Sequence, residues 1–350
     1  MELEKLEVDY QLFEMSGHFG GLCDSWQDAE GYWHDYGPHI FHNAEGFEWF
    51  LDLLPNAKRL PRNDDIMLAD KTVVSYPVQT SCAVCPNRAI EIRNYGDYCR
   101  HHYGGELCSQ FFFPWNEKVY ATHITNIDLS VVSRAPSSGQ PAGNYLYPAS
   151  GRFAELPEVM ATRLPEYRLH ALSPVTYVDF GKQYLLGDIK CHYQVLVWAA
   201  PFRDLVTYLH LEPRFLTYAD LYLITRRVDA GCLPGLARYH ADAKTLEHRQ
   251  SYEAVLKGNK NQFVQSEINA SRPLNRTALD LKKDDTAFIL PNAYINPTVA
   301  WIGELTQIVQ DLRQKNIILH GKAGTTIHKN IWPIIQDSRQ LAKEIIRCYS

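Results

Sequence analysis

Cys82 and Cys85 flank two residues, and after thirteen more the same gap returns between Cys99 and His102, in SCAVCPNRAIEIRNYGDYCRHHYG (residues 81–104). A C-x2-C turn lets two thiolates reach one tetrahedral ion, and a second pair completes the shell. The alternating stretch Ala89–Arg93 reads as a strand and Asn94–Asp97 as a turn. The spacing predicts a zinc-knuckle or treble-clef-like module holding a structural Zn2+ on Cys82, Cys85, Cys99 and His102, with His101 or Cys108 able to replace His102. Such a shell is closed by protein, so the expected ion is a folding staple and not a catalyst.

Neither disulfide bonding nor simple burial accounts for these residues as well. A disulfide framework belongs to small, cysteine-dense secreted chains, whereas this one has 350 residues and 8 cysteines, with Cys23, Cys191, Cys232 and Cys348 scattered singly. Burial explains isolated cysteines but not two matching gaps. Charged residues at 21 % and apolar residues at 45 % make an ordinary globular balance, with enough chain for one large domain or two ordinary ones. MELEKLEVDYQLFEMSG is acidic and has no apolar h-region, and no apolar run is long enough to span a bilayer. With reduced cysteines, this leads to the expectation of a cytoplasmic protein.

The net charge of −5 is unevenly spread: residues 1–70 hold 15 acidic and 4 basic side chains, and the remainder holds 25 acidic and 31 basic. An acidic solvated face accounts for this, as does an acidic lobe turned away from nucleic acid.

Along the chain, Leu6–Leu12 alternates like a strand, and Asn43 caps a helix over Ala44–Leu54 that Pro55 stops. Ile66–Leu68, Thr72–Tyr76, Val119–Thr125 and Ile127–Ser133 read as strands, and residues 135–151 as a Pro/Gly/Ser-rich linker. Arg152–Thr162 reads as a helix, and Val175–Asp179 with Gln183–Leu186 as a hairpin. Helical patterns cover Tyr193–Leu211, Tyr218–Val228 and Leu236–Leu256, while 259–290 has no clear period. Asn296 and Pro297 open the clearest helix, and another runs from Ile334 to Cys348. The expected fold is α+β: a mixed N-terminal lobe (1–134) containing the zinc module, a linker, and a mixed, then mainly helical region (152–350).

His34, Asp35, His39 and His42 could ligate a second, hydrolytic metal, with Asp24 or Asp28 joining. No H-E-x-x-H, P-loop, G-x-S-x-G or dinucleotide fingerprint is present, and Gly321–Thr326 lacks the glycine spacing of a phosphate loop. Arg88, Arg93 and Arg100 stand beside Tyr95, Tyr98 and Tyr103. Further basic residues follow at Arg226, Arg227, Arg238, Lys244, Arg249 and Lys257, then at Lys260, Arg272 and Arg276. Arginine grips phosphate and tyrosine stacks on unpaired bases, so Arg88, Arg93, Arg100, Tyr95, Arg226 and Arg227 form a candidate nucleic-acid surface.

In its zinc-bearing mixed lobe and helical second half, the chain resembles the large subunits of prokaryotic RNA-guided surveillance complexes. That resemblance implies a non-catalytic subunit of a nucleoprotein assembly, with DNA or RNA and other protein subunits as partners. The expectation is therefore a zinc-stabilised, nucleic-acid-associated protein. A metal-dependent hydrolase or nuclease using His34–His42, and a protein-interaction module with structural zinc, are the alternatives.

Overall fold

A computed structural model describes residues 1–134, 143–228, 235–257, 262–271, 279, 281–327 and 329–349. A seven-stranded mixed sheet organises it, in the spatial order Thr286–Ile295, Tyr218–Arg227, Phe263–Asn269, Arg249–Tyr252, Ala237–His240, Asp65–Met67 and Val73–Ser75. All neighbours run antiparallel except Ala237–His240 with Asp65–Met67, which are parallel. Strands from early and late in the sequence thus share one sheet.

This corrects the expected α+β arrangement with a helical second half. Tyr218–Arg227 is a strand: Ala219, Leu221 and Leu223 pack into one core while Tyr222 and Ile224 pack into another. Burial of both faces erases the polar–apolar alternation that marks a half-exposed strand. Phe263–Asn269 is buried at every position, polar residues included. Leu236–Leu256 resolves into two strands and the short helix Glu253–Lys257. Conversely, Val119 and Tyr120 end the helix Phe113–Tyr120, and Ile127–Ser133 contains no named strand. Strand Asn144–Tyr147, inside the stretch read as a linker, pairs with Lys58–Pro61; positions 135–142 lie outside the described residues.

One sheet face carries Leu221, Leu223, Gln265 and Glu267, whose partners in register are Asn269, Glu267, Thr225 and Leu223. The helices Tyr95–Tyr103 and Phe113–Tyr120, with the turn Cys108–Phe112 between them, cover part of that face with Tyr103, Val119 and Phe112. Asn94 caps the first of them by accepting from Asp97 N at 3.0 Å. Residues 32–39 cover another part of the same face.

A third layer holds two short parallel pairs, Leu12–Phe13 with Leu169–His170 and Leu196–Trp198 with Ile317–Leu319. Helix Val299–Gln314 packs here through Trp301, Leu305 and Leu312. Thr298 caps it, accepting from Trp301 N, and the Trp301 indole N–H donates to Thr326 Oγ1 at 2.9 Å. No helix among the described residues is long and apolar enough to cross a membrane.

Candidate functional site

Sheet register alone lines up Tyr239, Arg249, Glu267, Leu223 and Phe288 as direct cross-strand neighbours on one face. Glu267 is the hub. Its carboxylate accepts from Arg249 Nε at 2.8 Å and Nη2 at 2.6 Å, and from the Tyr294 hydroxyl at 3.1 Å, with His248 Nε2 at 3.2 Å. The Glu267 side chain is 1 % exposed. The loop 36–39 lies against this hub, a Cβ at position 37 standing 3.8 Å from Glu267 Oε1, and glycine there serves the backbone φ of +91 rather than the approach. Gln265 Nε2 ties the preceding part of that loop down, donating to Asp35 O at 2.8 Å.

Two further walls complete the site. Lys322, on the helix Gly321–Thr325 that follows strand Ile317–Leu319, brings Nζ to 5.0 Å from the Tyr294 ring. That helix can approach because Gly324 has no side chain; a Cβ there would meet Trp198 O at 2.2 Å. On the other side the Arg62 guanidinium lies 3.7 Å from the Tyr76 ring and 5.3 Å from the Tyr145 ring. Arg62 Nε and the Tyr145 hydroxyl both donate to Asp64 Oδ2, at 2.9 and 2.6 Å. Tyr76 and Tyr239 rings lie 5.8 Å apart, joining this wall to the row across the sheet.

Burial governs the titration of these groups. It lowers His39 below the usual imidazole range and raises the Tyr76 phenol and the Cys23 thiol to about 12. Yet His39, Arg62, Tyr76, Tyr239, Arg249 and Lys322 all keep partial exposure. Groups that lie deep in the molecule but are still reached by solvent line an internal cleft.

Burial alone would raise the Glu267 pKa. The Arg249 charge and the His248 and Arg249 hydrogen bonds outweigh it and hold the carboxyl well below its ordinary range. For Arg249, burial opposes the charge and Glu267 restores it. The charges are also arranged in depth. Arg249 and Arg62 side chains are 26 % and 18 % exposed, whereas the Glu267 and Asp64 side chains are each 1 % exposed. The cleft therefore presents cations and phenols, with the carboxylates hidden behind them.

The candidates taken from sequence land elsewhere. Cys99 is fully buried in the aromatic core beside Cys108, and burial raises both thiols. Cys85 is exposed, and its N–H donates to Tyr103 O. His102 Nδ1 faces Arg88 Nη1 at 3.3 Å, and His101 Nδ1 lies 2.9 Å from Ile90 O. No group of three or more His, Cys, Asp or Glu side chains among the described residues could hold a metal, so the structural zinc on Cys82, Cys85, Cys99 and His102 is corrected. Cys85→Ser should change stability by no more than about 0.5 kcal/mol. Urea unfolding checks this; a loss several times larger, with one zinc per chain, would restore the metal.

His34 and Asp35 likewise serve the fold. The buried His34 ring has Nδ1 2.7 Å from Glu253 Oε2 and Nε2 3.0 Å from Asp28 Oδ2. Asp35 accepts from Ser25 Oγ and the Tyr147 hydroxyl, each at 2.6 Å, and from Phe153 N at 2.9 Å. The second-metal reading of His34–His42 falls with the first; of its residues, His39 adjoins the cleft and His42 meets the Tyr145 ring edge-on at 6.5 Å.

The candidate nucleic-acid residues are engaged within the protein. Arg93 pairs with Glu91, Arg100 lies over Phe113 near Asp97, and Tyr95 is buried. Arg226 forks onto Asp285 at 2.7–3.1 Å, and Arg227 pairs with Glu30. Lys260, Arg272 and Arg276 lie outside the described residues. Of the described basic residues singled out, only Arg249 lines the cleft. Arg62, Tyr239, Glu267, Tyr294 and Lys322 were missed, because buried charge pairs read in sequence like solvated surface.

A mixed sheet with the cleft on one face thus stands beside a layer of short parallel strand pairs. A family model described as an NAD(P)-binding Rossmann-like domain matches residues 2–55. Among solved structures, reduced UDP-galactopyranose mutase superposes with a TM-score of 0.82 at 15 % identity, covering 99 % of this chain and 90 % of that one. A putrescine oxidase redesigned in its cofactor binding gives 0.66 at 12 % identity, covering 99 % and 95 %. The CLA-producing fatty acid isomerase from P. acnes gives 0.65 at 11 % identity, covering 100 % and 95 %. No curated protein matches the chain.

The fold is thus the one these oxidoreductases and isomerases share. The expectation of a zinc-stabilised, nucleic-acid-associated subunit of a nucleoprotein assembly is corrected, and its hydrolase and interaction-module alternatives with it.

Such a fold implies a dinucleotide cofactor, and the residues present fit it only in part. Glu14 directly follows the parallel strand Leu12–Phe13, where an acidic residue can read a ribose. The pyrophosphate, however, requires a glycine-rich turn into a helix N-terminus, and no G-x-G-x-x-G occurs in the sequence. The described residues do not supply that cradle.

Proposed function

We propose that this chain is a small-molecule oxidoreductase or isomerase whose substrate is anionic and occupies the cleft between Arg62, Arg249 and Lys322. The observation that carries this reading is the layering of charge: cations at the cleft surface, carboxylates buried behind. Arg249 and Arg62 are held rigid by Glu267 and Asp64, so little ordering cost remains when a phosphate or carboxylate binds. Tyr76 and Tyr239, both partly exposed, offer ring surface for the uncharged part of the ligand. Similar folds include a UDP-galactopyranose mutase, a fatty acid isomerase and a putrescine oxidase, so both anions and an amine occur among them, and it is the cleft's own cations that favour an anion here. The described cysteines are all free thiols, which supports a cytoplasmic site of action.

Calorimetric titration with uridine diphosphate and, separately, putrescine tests the sign of the charge. Uridine diphosphate should bind and putrescine should not. Lys322→Gln, which removes one cleft cation, should weaken uridine diphosphate by roughly 10-fold, the scale of one charge-assisted contact. Binding of putrescine alone, or no effect of Lys322→Gln, would overturn the assignment.

A further inference from the structure

The first two strands of the seven-stranded sheet lose register once. Ala219 pairs with Tyr294 and Leu221 with Leu290, so Asp220 alone stands opposite Pro291, Asn292 and Ala293. Asn292 holds φ +55, a left-handed conformation that asparagine tolerates better than most residues with a side chain. Its N–H donates to Asp220 Oδ1 at 2.8 Å, so a side chain stands in for the missing ladder bond. Bulges re-aim side chains and are over-represented beside functional sites. This one opens on a cavity of about 410 Å3 lined by Arg203, Pro213, Leu216, Tyr218, Asp220 and Asn292. That volume falls within the range of about 300–1,000 Å3 typical of small-molecule sites.

The cavity lies where the sheet meets the layer of parallel pairs, and it shares no lining residue with the cleft. Leu216 and Tyr218 pack into the core of that layer, as do Phe202 and Leu205 of the helix Phe202–Leu209, which carries Arg203. Folding leaves the polar groups of this cavity unused. Among the described residues the Arg203 guanidinium makes no ion pair, either with Asp204 beside it in the chain or with Asp220 across the cavity. Asp220 Oδ1 closes the bulge, and Oδ2 has no hydrogen bond among the described residues. The Tyr218 hydroxyl is buried near the Arg203 backbone without a hydrogen bond, a cost that a polar ligand recovers. The guanidinium, the phenol O–H and the Asn292 amide N–H groups can donate, and Asp220 Oδ2 and the amide oxygen can accept.

We propose that this cavity binds a free α-amino acid with an apolar side chain. Arg203 and the Tyr218 hydroxyl take its carboxylate, and Asp220 Oδ2 and the Asn292 amide oxygen take its ammonium. Its side chain lies against Leu216 and Pro213. A zwitterion answers both unpaired charges at once. A monoanion is repelled by Asp220, a monocation by Arg203, and a neutral polyol answers neither charge.

Calorimetric titration of the full chain with L-leucine tests this. The comparison ligands are leucinamide, which lacks the carboxylate, 4-methylpentanoate, which lacks the ammonium, and galactose, a neutral polyol. Leucine should bind, and each of the other three should bind at least roughly 10-fold more weakly, the scale of one charge-assisted contact. Arg203→Gln, at an exposed position, should weaken leucine by roughly 10-fold and erase its advantage over leucinamide. Asp220→Asn keeps an acceptor for Asn292 N and should erase the advantage over 4-methylpentanoate. Lys322→Gln, in the cleft, should leave leucine binding unaltered. Absence of leucine binding, equal binding of any comparison ligand, an unaffected Arg203→Gln variant, or loss of leucine binding in Lys322→Gln would each overturn the proposal.

Discussion

Glu267→Ala should destabilise the protein by about 3–5 kcal/mol, the usual cost of breaking a buried ion pair from one side. Removing this carboxylate strands Arg249, His248 and the Tyr294 hydroxyl at once, in a strand with no exposed position. Part of the Arg249 charge reaches the cleft, which keeps the expected loss within that range. Glu267→Gln preserves the shape and one acceptor, so it should cost about 1.5–3 kcal/mol, the worth of hydrogen bonds to a charged group. Urea midpoints at constant slope would separate the two. A loss under about 1 kcal/mol for the alanine variant would show that the row across the sheet is not coupled.

Acid should unfold the protein in two stages, with different groups responsible for each. Burial is the leading influence on His240 and lowers its pKa to about 4, against about 6.5 for a free imidazole. The folded state keeps this ring neutral while the unfolded chain takes up the proton first. Its contribution is therefore complete above about pH 6.5 and lost as pH falls toward about 4, amounting to about 3 kcal/mol. Nε2 lies 3.1 Å from Gln250 Oε1, while buried Nδ1 makes no hydrogen bond and stands 3.8 Å from Asp242 Oδ2, whose charge opposes burial without overcoming it. His39 and His248, both lowered chiefly by burial, add in the same direction.

Glu267 follows. Its folded pKa is depressed, so its stabilisation is complete above the unfolded value of about 4.3 and is lost only below that. Denaturant midpoints measured from about pH 7.5 down to about pH 3.5 should fall gradually and then steeply. His240→Gln should flatten the gradual part and leave the steep part. An unchanged profile in that variant would remove His240 from the account.

Local elements were legible in the sequence wherever one residue decides them. The helix ending at Leu53 stops before Pro55, and Thr298 starts the helix to Gln314 just after Pro297, whereas Asn94, read as opening a turn, caps the helix Tyr95–Tyr103. The hairpin Tyr177–Asp179 with Tyr184–Leu186 was equally readable from its turn. The long strands were not. Phe263–Asn269 buries both faces, setting Gln265, Glu267 and Asn269 against partners far away in the chain, and Tyr218–Arg227 buries one face and half-buries much of the other. Neither a helical nor an alternating period survives such an environment. The cysteine spacing misled for a related reason. A gap of two residues says that two thiolates can meet, but not that the backbone turns them toward each other. Here Cys99 faces an aromatic core and Cys85 faces solvent.

The amino-acid order by itself determined where the chain turns, caps and breaks, because those events depend on torsions and hydrogen bonds within a few residues. Tertiary structure alone decided which strands became neighbours, and so which charges meet. Arg62, Arg249, Glu267 and Lys322 form one cleft only because residues 62 and 322, at opposite ends of the chain, fold against the same sheet face. A buried charge is tolerable only beside its partner, and no local pattern encodes a partner so distant in sequence.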